Sequence, residues 1–430
     1  MRAQAPPHGS AHSRRGIFRR FGQIRSSGAR WVTAFLAVLG PGLLAGLSDD
    51  DPAGITTYSI LGAEYGYRLL WVIPLSTLLL ICFHVLAVRI GAGSGKGFVG
   101  VVRHRWGHGW GHAAAAGLLL ANFGTICAEY AGVAAAGSLI GIPAWASAPV
   151  VGLLLCFMVV LGSFHRIERV LLVISATLAV YLIDGILAGP DWAAVARHSV
   201  VPAAPQDRAG WIAIAATLGT TLAPWGLAFL QSYAVDKKID VASLRWETVD
   251  VVSGSILTGV IGLSIAIACA ATLHPAGIHI ETAADVALAL KPLAGKLATL
   301  FFGMGLLGAS LLAAAIVPLA TAYSLAEGFG EPASLDLDSK HFRYFYAAFA
   351  GLTLAAVLVV SWPGVPLIPL IYFSQVVNAV LLPLHVVALQ VLAGDRSVVG
   401  AAMPGKWLLG MGWAGVAVTV VCVAGLLFQG

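Results

Sequence analysis

Charge is scarce in this chain. Asp, Glu, Lys and Arg make up 10% of its 430 residues, against 59% hydrophobic ones. Soluble globular domains carry roughly 25% charged residues, so a soluble fold is excluded. Cysteine is sparse as well. The five, Cys82, Cys127, Cys156, Cys269 and Cys422, lie in apolar stretches with no paired spacing, which leaves them as small packing residues rather than disulfides or metal ligands. Period-two alternation over about ten residues is missing too, which excludes a β-barrel. No cleavable leader is expected, because the apolar stretch after the basic N-terminal tail is too long and further ones follow. No pairing of nucleophile and base stands out, so the chain is not read as an enzyme, and no cofactor is expected.

What is present is a succession of apolar blocks, each near the 20 or so residues that cross a bilayer as a helix. They fall at 33–67 (interrupted), 69–92, 112–141, 144–163, 168–189, 211–235 (interrupted), 248–273, 293–326, 343–362, 366–393 and 407–429. The expectation is an all-α membrane protein with about eleven spans. The 50 glycines show no period and suit close helix packing in lipid. The net charge of +5 has a location: seven arginines and no acid occupy the first thirty residues. A nucleic-acid arm would look similar, but ahead of a span the basic tail reads as a cytoplasmic anchor, and no nucleic-acid partner is expected. With that end cytoplasmic, twenty of the 25 Lys and Arg lie inside, and only Arg68, Arg197, Arg208, Lys291 and Lys296 lie outside. The partners expected are the lipid bilayer of the cytoplasmic (inner) membrane and a transported ion, and a monomer suffices.

Two spans contain something that lipid should forbid. In the first, Asp49-Asp50-Asp51-Pro52-Ala53-Gly54 separates residues 33–48 from 55–67. Sixteen helical residues reach only about 24 Å against a hydrocarbon core near 30 Å, so neither half crosses alone and together they cross once with a gap. In the sixth, Ala223-Pro224-Trp225-Gly226 interrupts 211–235, where a lone proline would ordinarily be no more than a kink. Asp51-Pro52-Ala53-Gly54 and Ala223-Pro224-Trp225-Gly226 share the pattern x-Pro-x-Gly, five spans apart. An odd repeat makes the second copy inverted, and matching interruptions in two halves point to a transporter's midplane site.

A carboxylate at that depth costs about 2.5 kcal/mol or more, and a bound cation or protons offset it. Carboxylate, hydroxyl and freed carbonyl oxygens suit hard ions such as Mg2+, Ca2+ or Mn2+. Asp51 is the expected central ligand; Asp49 faces the same cavity through water; Asp50 either joins them or stays at a solvated rim. From Thr220 to Gly226 there is no Met, Cys or His, so no soft ligand is offered, and small Ala223 implies a wide cavity that suits a hydrated Mg2+. Other signals carry less. Residues 91–97, Gly-Ala-Gly-Ser-Gly-Lys-Gly, fail the phosphate-loop pattern and read as a flexible cytoplasmic turn. His104, His108 and His112 are spaced four apart, but the segment between them is a poor helix. Glu129 either lines the ion path, relays protons or makes a structural hydrogen bond; Asp184 is expected to snorkel to the outer surface. Asn122, Gln375 and Asn378 are ordinarily interhelical hydrogen-bonding residues.

From about Trp31 to Asp395 the chain resembles the NRAMP family of divalent-metal transporters. The residues that carry this are Gly40-Pro41-Gly42, the Asp-Pro pair at 51–52, Glu64-Tyr65-Gly66-Tyr67-Arg68-Leu69-Leu70-Trp71, Ala128-Glu129, Gly141-Ile142-Pro143 and Gln375. The resemblance implies a LeuT-like fold of two inverted five-helix repeats (31–190 and 205–395) after a tail at 1–30. An eleventh helix follows at 396–430, and metal is held between helices 1 and 6, unwound at the midplane. Asp51, Glu129 and Gln375 carry over. The family's DPGN reads Asp51-Pro52-Ala53-Gly54 here, so its Asn is Gly54. Its MPH reads Ala223-Pro224-Trp225, so its Met is Ala223 and its His is Trp225. A further histidine falls on Leu230 and a helix-three aspartate at or near Ile126. The pattern is similar to the NRAMP-related magnesium transporters, which implies uptake of Mg2+ and Mn2+ without tight proton coupling. By the same geometry Ser48 and Thr220 would complete the coordination shell. A proton-coupled Mn2+/Fe2+ importer and a LeuT-like Na+-coupled solute symporter are the alternatives.

Overall fold

The computed structural model describes residues 51–160, 180–205, 207–291, 295–330 and 339–428. Among these there is no strand. The helices are α1 Pro52–Tyr65, α2 Val72–Ser94, α3 Phe98–Trp106, α4 His108–Ser138, α5 Ala144–Val160, α6 Val180–Leu187 and α7 Trp192–Val200. They continue as α8 Arg208–Thr221, α9 Pro224–Asp236, α10 Leu244–Thr272, α11 Ala283–Ala287, α12 Ala298–Phe329 and α13 Ser339–Val360. The chain then ends in α14 Leu367–Gly394, α15 Arg396–Val399 and α16 Lys406–Phe428. Seven of the described spans are long and apolar enough to cross a membrane when α8 and α9 count as one; Ala144–Val159 and Phe345–Val360 are shorter apolar helices. The first half of the first span and most of the fifth lie outside the described residues, as does the basic tail.

Helix is what lipid demands, because each backbone N–H and C=O must find its partner inside the segment. Packing between the helices relies on small residues. α4 carries Ala and Gly through its buried length and packs against both α12 and α14. Hydrogen bonds between side chains add specificity: Asn122 Nδ2 donates to Thr321 Oγ1 of α12 at 2.8 Å, and Asn378 Nδ2 of α14 donates to Thr125 Oγ1 of α4 at 3.0 Å.

The loops sort by charge. At one end, Gln231 Nε2 donates to Lys96 O (3.1 Å), Arg89 Nη1 donates to Ala402 O (3.2 Å), and Arg105 pairs with Asp395 at 2.7 Å. This is the basic end, where segments 89–105, 231–238 and 395–402 meet. At the other, Arg68 donates to Ala204 O at 2.9 Å, and His274 Nδ1 donates to Ala63 O at 2.8 Å.

Two expectations need correction. Asp184 does not snorkel: it is 0% exposed on α6, where Gly185 lies against Ser264 of α10. The segment 91–97 is not a free turn, since residues 91–94 continue α2 and only Gly95, at φ 64°, turns the chain. The histidine triplet is split, with His104 on α3 and His108 and His112 on α4 beyond the bend at Gly107.

Candidate metal site at two helix breaks

The second break is a true interruption. α8 stops at Thr221, Leu222 (φ −105°, ψ 31°) and Ala223 (φ −50°, ψ 129°) leave helical geometry, and α9 restarts at Pro224. The cause is local. Pro224 has no N–H, so the Thr220 carbonyl four residues earlier cannot receive its helical bond. Proline is well tolerated as the first residue of the next helix. The described part of the first break has the same form: Asp51 is extended (φ −74°, ψ 178°) and Pro52 opens α1. Ser48, Asp49 and Asp50 lie outside the described residues.

Asp51 caps α1. Its Oδ1 accepts the Gly54 N–H at 2.8 Å, so a carboxylate sits on the positive end of the helix dipole. Gly54, which has no side chain to ligate with, takes part only through that N–H. Opposite stands α4, which brings the Glu129 carboxyl beside that of Asp51. The approach is possible because residue 132, one turn further along α4, is glycine: a Cβ there would lie 2.5 Å from both Pro52 Cβ and Ser310 Oγ. Exposures are 4% for Asp51 and 0% for Glu129. Among the described residues neither forms an ion pair with Lys or Arg, and no group of three or more His, Cys, Asp and Glu converges anywhere. Two buried carboxylates side by side need an offsetting positive charge.

The other expected residues that the structure describes are buried as well. Thr220 is 3% exposed, Ala223 5% and Gln375 1%. Among the described residues the wide cavity expected at Ala223 does not open, and the neighbouring Trp225 is itself fully buried, 6.4 Å from Phe229 between ring centroids. The roomy spaces lie elsewhere. A largely apolar groove of about 790 Å3, with Trp106, Trp110 and Pro224 among its walls, runs beside α14, and another of about 610 Å3 sits at the basic end. The Gln375 amide is engaged within α14: Nε2 donates to Ser374 Oγ at 2.7 Å and Oε1 accepts from Asn378 at 2.9 Å.

One polar cluster went unread in the sequence. Tyr58 of α1 and Thr221 of α8 join hydroxyls at 2.8 Å, Ser76 of α2 donates to Thr221 Oγ1 at 3.2 Å, and Thr221 donates to Thr217 O at 2.8 Å. It ties α1, which follows the first break, to α2 and to α8, which leads into the second. Ser, Thr and Tyr are unremarkable in apolar helices; the available signal was that Thr221 adjoins Thr220 in the second break.

The fold and the paired breaks define a class, a multi-pass membrane transporter of LeuT-like architecture. A family model described as natural resistance-associated macrophage protein-like (Nramp) matches residues 42–429, and the chain belongs to this family of transporters. It is 28% identical to the divalent metal cation transporter MntH of Deinococcus radiodurans over 94% of this chain and 92% of that one. It is 25% identical to the MntH of Pectobacterium carotovorum over 88% and 90%. Among solved structures it is similar to the Eremococcus coleocola manganese transporter bound to an aromatic bis-isothiourea compound. The TM-score is 0.75 at 22% identity, covering 94% of this chain and 89% of that one. MhsT in complex with L-phenylalanine has a TM-score of 0.60 at 18% identity, covering 90% and 98%, a likeness of fold alone.

Proposed function

We propose that this protein carries divalent cations into the cell across the cytoplasmic membrane, with Mg2+ as the main ion and Mn2+ as a second. The ion is held largely hydrated and moves without tight proton coupling. The observation that carries this reading is the donor set at the breaks. Asp51, Glu129, the Thr220 carbonyl and hydroxyl and Gln375 offer oxygen, and Ala223 offers a methyl group where sulfur would favour softer metals. Ser48, Asp49 and Asp50 belong to the same proposed shell. The basic end is assigned to the cytoplasm by its Lys and Arg, with the N-terminus on that side. The membrane potential then drives a divalent ion inward at about 2.3 kcal/mol per charge per 100 mV.

Proton-coupled Mn2+ transport is the second reading, favoured by the closeness of Glu129 to Asp51 and by the manganese and MntH transporters this chain resembles. Uptake into proteoliposomes of Mg2+, Mn2+ and Ca2+, with internal pH followed in parallel, separates the two. Mg2+ uptake without acidification is expected, and Asp51→Asn should abolish it. Mn2+ uptake with acidification and no Mg2+ flux would overturn the proposal.

A further inference from the structure

The glycine-rich segment after α2 does bind a carboxylate, and it is the protein's own. Glu327, near the end of α12, accepts the Gly100 N–H at 3.1 Å and also faces the N–H groups of Gly97 and Val99, so it caps α3 from another helix. Only glycine fits at 97, because a Cβ there would overlap the Glu327 carboxylate. The same carboxylate receives Ser232 Oγ of α9 at 3.4 Å, and the neighbouring Gln231 donates to Lys96 O at 3.1 Å. α3 is fastened further along as well, by Phe98 stacked on His385 of α14 at 4.0 Å and by Arg105 on Asp395. α3, α9 and α12 thus meet at one acid.

What gives this consequence is the position of α9. It starts at the second break, where Leu222 and Ala223 are non-helical, and Ser232 lies eight residues from Pro224. At 1.5 Å per residue that is a rigid arm of about 12 Å, hinged at the candidate site and held at its far end by Glu327. Beside the held end is the 610 Å3 cavity, lined by Lys96, Arg103, His104, Val235 and Glu327 among others. We propose that Glu327 is a positioning residue for transport: its carboxylate closes the basic end of the path by holding α9 and α3 to α12, and ion release requires α9 to leave it. The inference rests on the transport reading above, but not on which ion is carried.

The test uses the full chain in oriented proteoliposomes, with Val235→Cys as a reporter at the cavity wall and the chain lacking that cysteine as background. Labelling by a membrane-impermeant maleimide from the basic face is measured without any divalent ion. Glu327→Ala should raise the labelling rate about five- to tenfold. Its apparent KM for ion presented at the opposite face should rise by a similar factor with the maximal rate retained, since a smaller fraction of molecules is then competent to bind. Ser232→Ala, which removes only the α9 contact, should raise labelling two- to threefold and decides the matter if Glu327→Ala does not fold. Labelling within the parent's error in Ser232→Ala, or in a folded Glu327→Ala, overturns the proposal. Failure of Mg2+ uptake in the parent would overturn only the ion assignment, because the labelling needs no ion.

Discussion

Replacing Gly132 by alanine tests whether the close approach of α4 to the start of α1 sets the metal site. The added Cβ would lie 2.5 Å from Pro52 Cβ and Ser310 Oγ, where ordinary contact begins at 3.4 Å, so the neighbours must part by about 1 Å. α4 and α12 pack along their length, which leaves the first turn of α1, with Asp51 as its cap, as the part that yields. Overpacking of this kind costs about 1–3 kcal/mol. Charged against the site-competent arrangement, that lowers its population, and hence the apparent ion affinity, by about 5- to 150-fold. The assay is uptake into proteoliposomes as a function of ion concentration, beside a thermal melt in detergent. Gly124→Ala on the same helix is the control, because its Cβ would meet nothing nearer than 3.5 Å. Gly132→Ala with a KM within twofold of the parent would refute the reasoning.

Ala223→Met places a thioether at the second break and should weaken Mg2+ transport while improving Cd2+ binding, read by competition and calorimetry; unchanged values for both would mean that this break does not line the site. At the opposite end from Glu327, His279 Nδ1 lies 2.9 Å from both carboxylate oxygens of Glu64, at the end of α1, and His274 holds Ala63. The bond to Glu64 and its charge, with Glu281 adding to them, raise the His279 pKa. The clamp is therefore fully present below the ordinary histidine value near 6.5 and is lost as pH rises through the raised one. Uptake from that side should accelerate across this window, and His279→Gln should flatten the profile; a profile equally steep in the variant refutes the clamp.

Most span boundaries were legible because hydropathy follows depth in the bilayer, and depth is a property of local sequence. The described helices start and stop within a few residues of the expected blocks, as with α10 at Leu244–Thr272 and α14 at Leu367–Gly394. The breaks were legible for a different reason. Proline removes an N–H whatever surrounds it, so Pro52 and Pro224 announce an orphaned carbonyl before any fold is known. What stayed hidden depends on which helix faces which. Asp184 looked like a surface residue because it lies near the end of its span, yet α10 covers it. The space left by a small Ala223 looked like a cavity, but whether neighbours close over it is a tertiary matter, and here they do. Glu327 drew no notice because its partners lie 227 and 95 residues away in the chain.

The charge balance of the site turns on Glu129. Under the proposed function, Asp51 and Glu129 would together bring up to two negative charges to a buried place, and one divalent ion would offset both. When the ion leaves, the pair must be offset by something else, and the candidates are protons or the entry of water as the path opens. If protons serve, each empty carrier takes them back outward, opposite to the ion, and the vesicle interior becomes more alkaline. If water serves, internal pH stays flat and transport responds only to voltage and the ion gradient. Glu129→Gln separates these outcomes, since the amide keeps the size and a hydrogen-bonding oxygen but gives up the charge. Under the uncoupled reading the variant should bind the ion more weakly, by about tenfold or more for one lost charge–charge contact at short range, with internal pH unaffected in both proteins. A parent whose vesicle interior changes pH during Mg2+ or Mn2+ uptake, and a variant whose interior does not, would instead make Glu129 the proton carrier and end the uncoupled reading.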